Sequence, residues 1–258
     1  MYTIRIGGNK FKECVNITIL GLNNNKATIP HIKIEPECGY NKLLPTGFGT
    51  KLVEISLNII KMFFHNLQIF TFDDASQIEC ETLKNTELPR KLKKPLNLPS
   101  LYIALYGKTW YEQKFKAKIL DDNKYKEYKE KVKVLYTIVN LQFYDFLKLA
   151  DLHETSPQAI KLRSYYEKAY NNMSWIDMFQ SIPKKEHCEI FWNWLSGFIE
   201  RFIGFNVQEY KWYIDINDIP DMIDDIKIIK LHCGGNRKTL KKKYSKNKKT
   251  MKKRIYND

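Results

Sequence analysis

No stretch of this chain reaches about eighteen uncharged apolar residues, the minimum for a membrane-crossing helix. The nearest candidate, Ile190 to Phe205, is interrupted by Glu200 and Arg201 and reads as a buried helix. No membrane span is expected. The chain also lacks any C-x-x-C pair. Its five cysteines (Cys14, Cys38, Cys80, Cys188 and Cys233) are odd in number and widely spaced. That pattern argues against a zinc ribbon and against a disulfide framework, so reduced thiols are the expectation. The opening MYTIRIGGNKFKE has no signal-peptide core, and the reading is a protein that is not secreted. The five histidines do not cluster, and His187-Cys188 lacks metal-ligand spacing. No metal site is expected, and adjacent helical positions diverge too far to make Cys188 and His187 a nucleophile and its base.

What the chain does have is enough apolar residue to bury a core, 43% of 258, and a charge concentrated at one end. The formal net charge is +14. Residues 237–258 hold eleven Lys and Arg against one acid, Asp258, so that segment carries +10 and residues 1–236 only +4. A lysine-rich segment of this kind buries too little to order itself. It predicts a disordered basic tail over 236–258 that contacts nucleic acid or another polyanion non-specifically and with strong salt dependence. The alternative is a solvated end with no partner.

Residues 1–40 read as strands. Tyr2–Ile6 and Val15–Ile19 alternate, Leu22–Lys26 is a turn, and Ala27 to Glu35 returns as a third strand with Pro30 at an edge or bulge. Thr50 to Phe64 is the first amphipathic helix, followed by a strand at Leu67–Phe72 and a turn at Asp73-Asp74. Residues 77–99 form a polar insertion. A second helix runs from Ser100 to about Gln113, then a strand from Phe115 to Leu120. From 121 onward the pattern is helical. One long helix is expected over 125–150, a second after Ser156-Pro157, a third capped by Ser174 with Asp177, and a fourth from Lys185 to Ile203. Asp215 to Lys230 is acidic, Ile-rich and broken by Pro220. The domain reading is therefore an α/β domain over 1–120 with the insertion 77–99, a helical region over 121–235, and the tail.

Two motifs could carry chemistry. Thr46-Gly47-Phe48-Gly49-Thr50 is a glycine turn opening into a helix. Unpaired N–H groups and the dipole at a helix N-terminus favour an anion, and glycine lets the backbone approach a phosphate. Gly47, Phe48, Gly49, Thr50 and Lys51 are the candidate phosphate-binding residues; the plain alternative is a loop-to-helix turn. The second motif, Trp110-Tyr111-Glu112-Gln113-Lys114-Phe115, places the Tyr111 hydroxyl at a helix end before a strand. Glu35 and Glu37 are carboxylates near the end of the third strand, candidates for a general base or plain solvated acids. Asp73-Asp74 could hold Mg²⁺ or a ribose hydroxyl, or simply cap a turn.

The order hairpin, glycine turn, helix, strand, second helix ending in W-Y-E-x-x-F, and strand resembles GCN5-related N-acetyltransferases over residues 1–120. Leu44-Pro45-Thr46-Gly47-Phe48-Gly49 is similar to their Gln/Arg-x-x-Gly-x-Gly/Ala cofactor motif, and Trp110–Phe115 to their later L-Y-x-x-x-G-F signature. The resemblance implies an α+β fold with a mixed sheet, acetyl-CoA as cofactor, and transfer of its acetyl group to an amine. It also implies splayed strands around the pantetheine arm and Tyr111 as the acid that protonates the leaving sulfur. Three departures stand beside it: Leu44 replaces Gln or Arg, Lys114 directly precedes Phe115, and the insertion 77–99 interrupts the unit. They motivate a second reading, a catalytically idle protein of the same fold that binds nucleic acid through its tail. The Ile/Lys/Asn/Tyr-rich composition resembles proteins of giant DNA viruses, which implies a host-cytoplasmic or virion location.

Overall fold

The computed structural model describes residues 2–6, 15–23, 26–29, 32–34, 48–64, 66–78, 80 and 95–219. The chain divides into units 1–221 and 222–258, and every described residue belongs to the first. Gly47, Glu35, Glu37, most of the insertion and the basic tail lie outside the described residues.

The fold is α+β. Strands β1 (Tyr2–Ile6), β2 (Val15–Asn23) and β3 (Lys26–Ile29) form an antiparallel meander. Strand β4 (Ile32–Ile34) also pairs antiparallel with β2, further along it. Helix α1 (Phe48–Phe63) then crosses over to β5 (Ile69–Asp73), which lies parallel to β3 from Lys26↔Ile69 to Ile29↔Phe72. Parallel neighbours require such a return element. On α1, Val53, Leu57 and Ile60 are buried in the core.

The remainder of the sheet draws on strands from both sides of residue 120. Strand β8 (Lys118–Ile119) does not pair with β5. Between them lies β9 (Lys211–Asp215), antiparallel to both, giving the order β1-β2-β3-β5-β9-β8. The helical region is thus a long excursion that leaves the sheet at β8 and returns to its interior at β9. Trp212 and Ile214 of β9 are buried while Lys211 is exposed, a period-two pattern. The indole N–H of Trp212 donates to the Val207 carbonyl at 3.1 Å.

Local chemistry sets the helix ends. Ser156 caps α6 (Pro157–Ala169) by accepting from the Ala159 N–H, with proline at N1. Ser174 caps α7 (Trp175–Ser181), accepting from the Asp177 N–H at 3.1 Å and donating to the Asp177 carboxylate at 2.6 Å. The single helix expected over 125–150 is instead two: α4 (Asp122–Val132) and α5 (Phe143–Ala150). Between them a 3₁₀ turn at Lys133–Tyr136 leads into an extended segment in which Ile138 bridges to Ser174. Thr137, Ile138 and Val139 are β-branched and favour that extension. The helix expected from Lys185 also breaks, into α8 (His187–Phe191) and α9 (Leu195–Ile203), with Asn193 in the left-handed region at φ 73°. The core of this region is aromatic. The fully buried Trp175 ring lies 4.6 Å from Phe202 and 5.8 Å from Phe198, and Phe146 lies 4.9 Å from Tyr166. Rings at these separations add edge and offset attraction to their buried area.

The reduced-thiol expectation is also corrected. Cys80 and Cys188 form a disulfide, with Cα atoms 5.4 Å apart and a sequence separation of 108. It fixes the chain just after β6 (Gln77–Ile78) to α8. Strand β6 pairs with β7 (Leu96–Asn97), so the two ends of the insertion 77–99 meet as a small ribbon.

Candidate active site

Tyr111 and Asp74 lie near each other at the C-terminal end of β5. The ladder between these strands stops at Ile29 and Phe72. Beyond that point β4 continues along β2, whereas β5 ends at Asp73. Residues 30 and 31, which follow β3 at this end, lie outside the described residues. Helix α1 is reached from β3 and hands the chain to β5 through residues 64–68, so it runs back along the strands. Its sixteen residues span about 24 Å. Its direction, opposite to that of the strands it joins, puts its N-terminus towards their C-terminal ends. Phe48, Gly49 and Thr50 form the first turn, with Lys51 next, and the first turn contains no acidic residue. Its outward N–H groups and the helix dipole favour an anion there.

Tyr111 reaches the same end, from an element other than the one expected. The helix over 100–113 is broken at Gly107, which adopts φ 63° and caps α2 (Leu98–Tyr106). A second short helix, α3 (Trp110–Phe115), then starts at Thr109, whose hydroxyl accepts the Glu112 N–H at 3.2 Å. Tyr111 thus sits in the first turn of α3 rather than at a helix end. Its ring packs 4.5 Å from Phe72 and 4.6 Å from Trp110. Its hydroxyl has no hydrogen-bond partner among the described residues. Burial, and secondarily the charge of nearby Asp74, push its phenol well above the usual tyrosine range.

The residue that sequence reasoning treated as a turn cap is the more informative one. Asp73 is exposed, 4.0 Å from Lys211. Asp74 is buried to 2% exposure. Its Oδ1 accepts from the Ser76 hydroxyl at 2.5 Å and from the Ser76 N–H at 3.4 Å. Its Oδ2 has no hydrogen-bond partner. Burial lifts its carboxyl to about 6, against the two Ser76 hydrogen bonds that pull it down. Nothing in the residue order D-D-A-S distinguishes the exposed aspartate from the buried one.

A second buried carboxylate, Glu112, is fully engaged. It accepts from Tyr125 at 3.0 Å, Tyr128 at 3.1 Å and Lys129 at 2.8 Å. This ties α3 to α4. A shallow groove between α6 and α8 is similarly closed on itself: Tyr165 donates to Glu186 at 3.0 Å and Lys161 pairs with Glu189. Among the described residues, no group of three His, Cys, Asp or Glu could hold a metal ion, and no helix is long and apolar enough to cross a membrane. A scan against protein-family models, a search of curated proteins and a search of solved structures found no match to this chain.

Proposed function

We propose that the chain is an acyl-CoA-dependent transferase of the GCN5-related N-acetyltransferase type, moving an acetyl group from acetyl-CoA to an amine. The supporting observation is the β3–α1–β5 unit, a parallel pair joined by a helix, with the Tyr111 ring packed 4.5 Å from Phe72 near the end of β5. In this reading the cofactor's pyrophosphate takes the N–H groups of Phe48, Gly49 and Thr50, with Gly47 entering the turn and Lys51 adding positive charge. The acetyl thioester lies near the end of β5, beside Tyr111. A neutral amine attacks its carbonyl carbon; the C–N bond forms, the C–S bond breaks, and Tyr111 gives its proton to the departing sulfur. The raised pKa keeps Tyr111 protonated at neutral pH, the form a donor requires.

The test is thiol release from acetyl-CoA by the full chain in the presence of primary amines. Tyr111→Phe should lower turnover and leave acetyl-CoA affinity unchanged. Binding without amine-dependent thiol release would instead support the idle, binding-only reading that Leu44 and Lys114 motivate. In that reading the +10 segment at 237–258 holds nucleic acid in a viral factory or virion. A chain truncated after Gly235 should then leave a heparin column at much lower salt than the full chain.

A further inference from the structure

We propose that the Cys80–Cys188 disulfide is a reversible redox switch. An anionic thiol of the glutathione class opens it at Cys188, and its state sets how firmly the β6·β7 ribbon and the first turn of α2 are held. This goes beyond the transferase reading and does not depend on it.

Three observations carry the proposal. First, the two half-cystines differ in access. Cys80 is buried in the main apolar cluster, whereas Cys188 on α8 is only half-buried. Exchange depends on which sulfur a thiolate can reach, and Cys188 is the one on the open side. Second, the charge around Cys188 suits an anionic thiol. Lys184 and Lys185 lie one helical turn before it, and both are exposed. The acids of the same stretch are engaged: Glu186 accepts from Tyr165 at 3.0 Å, and Glu189 pairs with Lys161. Among the described residues the two lysines have no ion-pair partner, so their charge favours thiolate at this position. Third, the bond sits where little else holds the chain. Strand β6 meets β7 at two residue pairs, Gln77↔Asn97 and Ile78↔Leu96. That ribbon joins the end of β5 to α2. The Leu98 N–H donates to the Ser76 carbonyl at 3.0 Å, and the Asn97 side chain accepts from the Ser100 N–H at 2.8 Å. The disulfide ties this ribbon to α8, a helix of five residues. Opening it frees a sparsely paired ribbon, while the contacts of Glu112 that hold α3 to α4 involve neither cysteine.

The exchange balances in two steps. A glutathione thiolate attacks Cys188 Sγ and forms a mixed disulfide; the Cys80–Cys188 bond breaks, and Cys80 leaves as a thiolate that takes a proton from solvent. A second glutathione thiolate attacks the glutathione sulfur of the mixed disulfide and releases Cys188, which is protonated in turn. Two glutathione molecules are oxidised to their disulfide, and the protein cystine is reduced by two electrons to two thiols. Oxidised glutathione drives the same steps in reverse.

The experiment equilibrates the full chain with graded ratios of reduced to oxidised glutathione. Alkylation and peptide mass mapping read the thiols, and amide hydrogen exchange reads the fold at each ratio. The bond should open and re-form reversibly, with the glutathionyl intermediate on Cys188 and not on Cys80. On reduction, amides of residues 76–78 and 96–101 should exchange about 10-fold faster or more, the behaviour of a locally released segment. Those of α3 and α5 should not change. Cys80→Ser should show the faster exchange at every ratio, which separates the effect from modification of other thiols. A bond that resists excess reduced glutathione overturns the proposal. So does reduction that leaves residues 76–78 and 96–101 unchanged, or that removes protection throughout the chain, or a Cys80→Ser chain that does not fold: each of these makes the disulfide a structural staple only.

Discussion

Replacing Asp74 by Asn should alter how stability depends on pH, and the size follows from the burial of one carboxyl. In the folded protein burial raises Asp74 from 3.8 to about 6. The folded state therefore holds this proton more tightly than the unfolded chain does. Its contribution to stability is complete below the unfolded value and is lost as pH rises through the folded one. A gap of about two pKa units, at about 1.4 kcal/mol each, amounts to about 3 kcal/mol. The amide variant cannot ionise, so it escapes this loss, although its N–H₂ group gains no acceptor of its own. Urea unfolding of both proteins from about pH 4 to about pH 8 reads the difference directly. Wild type minus variant should fall by about 3 kcal/mol across that range, mostly between pH 4 and 6.5. A difference that stays flat with pH would refute the claim that an ionised Asp74 is held at a cost in the native state.

The Cys80–Cys188 link closes a loop of 108 residues, which on chain-entropy grounds is worth about 5 kcal/mol, so Cys188→Ser should lower the urea midpoint strongly. Reductant added to the wild type should reproduce that loss. Glu112→Ala strands the Tyr128 hydroxyl and the Lys129 ammonium and should cost about 3 kcal/mol in chemical unfolding, with Glu112→Gln costing less. Gly107→Ala forces a Cβ into the left-handed region and against the Tyr136 ring, and should lower stability by about 1–2 kcal/mol.

Local signals were legible in the chain because their partners are three or four residues away. The Ser156-Pro157 start of α6 and the Ser174/Asp177 cap of α7 are of this kind, as is the apolar periodicity of α1. The parallel pairing of β3 with β5 could be anticipated because one helix separates them. What was not legible depends on distant partners. Lys211–Asp215 alternates in sequence, yet nothing local says that it enters the sheet between β5 and β8. Cys80 and Cys188 carry no spacing signal across 108 residues. The break after α4 is visible in retrospect in Thr137-Ile138-Val139, whose extended form is held by Ser174 of another element. At the site, Tyr111 was singled out by its motif, whereas Asp74 was not, since its burial comes from the packing around the end of β5.

Calorimetric titration of the full chain with acetyl-CoA tests the central claim most directly. The account predicts saturable binding at a single site, retained in Tyr111→Phe and lost in Gly49→Asp, where a carboxylate would meet the pyrophosphate at the first turn of α1. Absence of binding by the wild type, or equal affinity in Gly49→Asp, would contradict it.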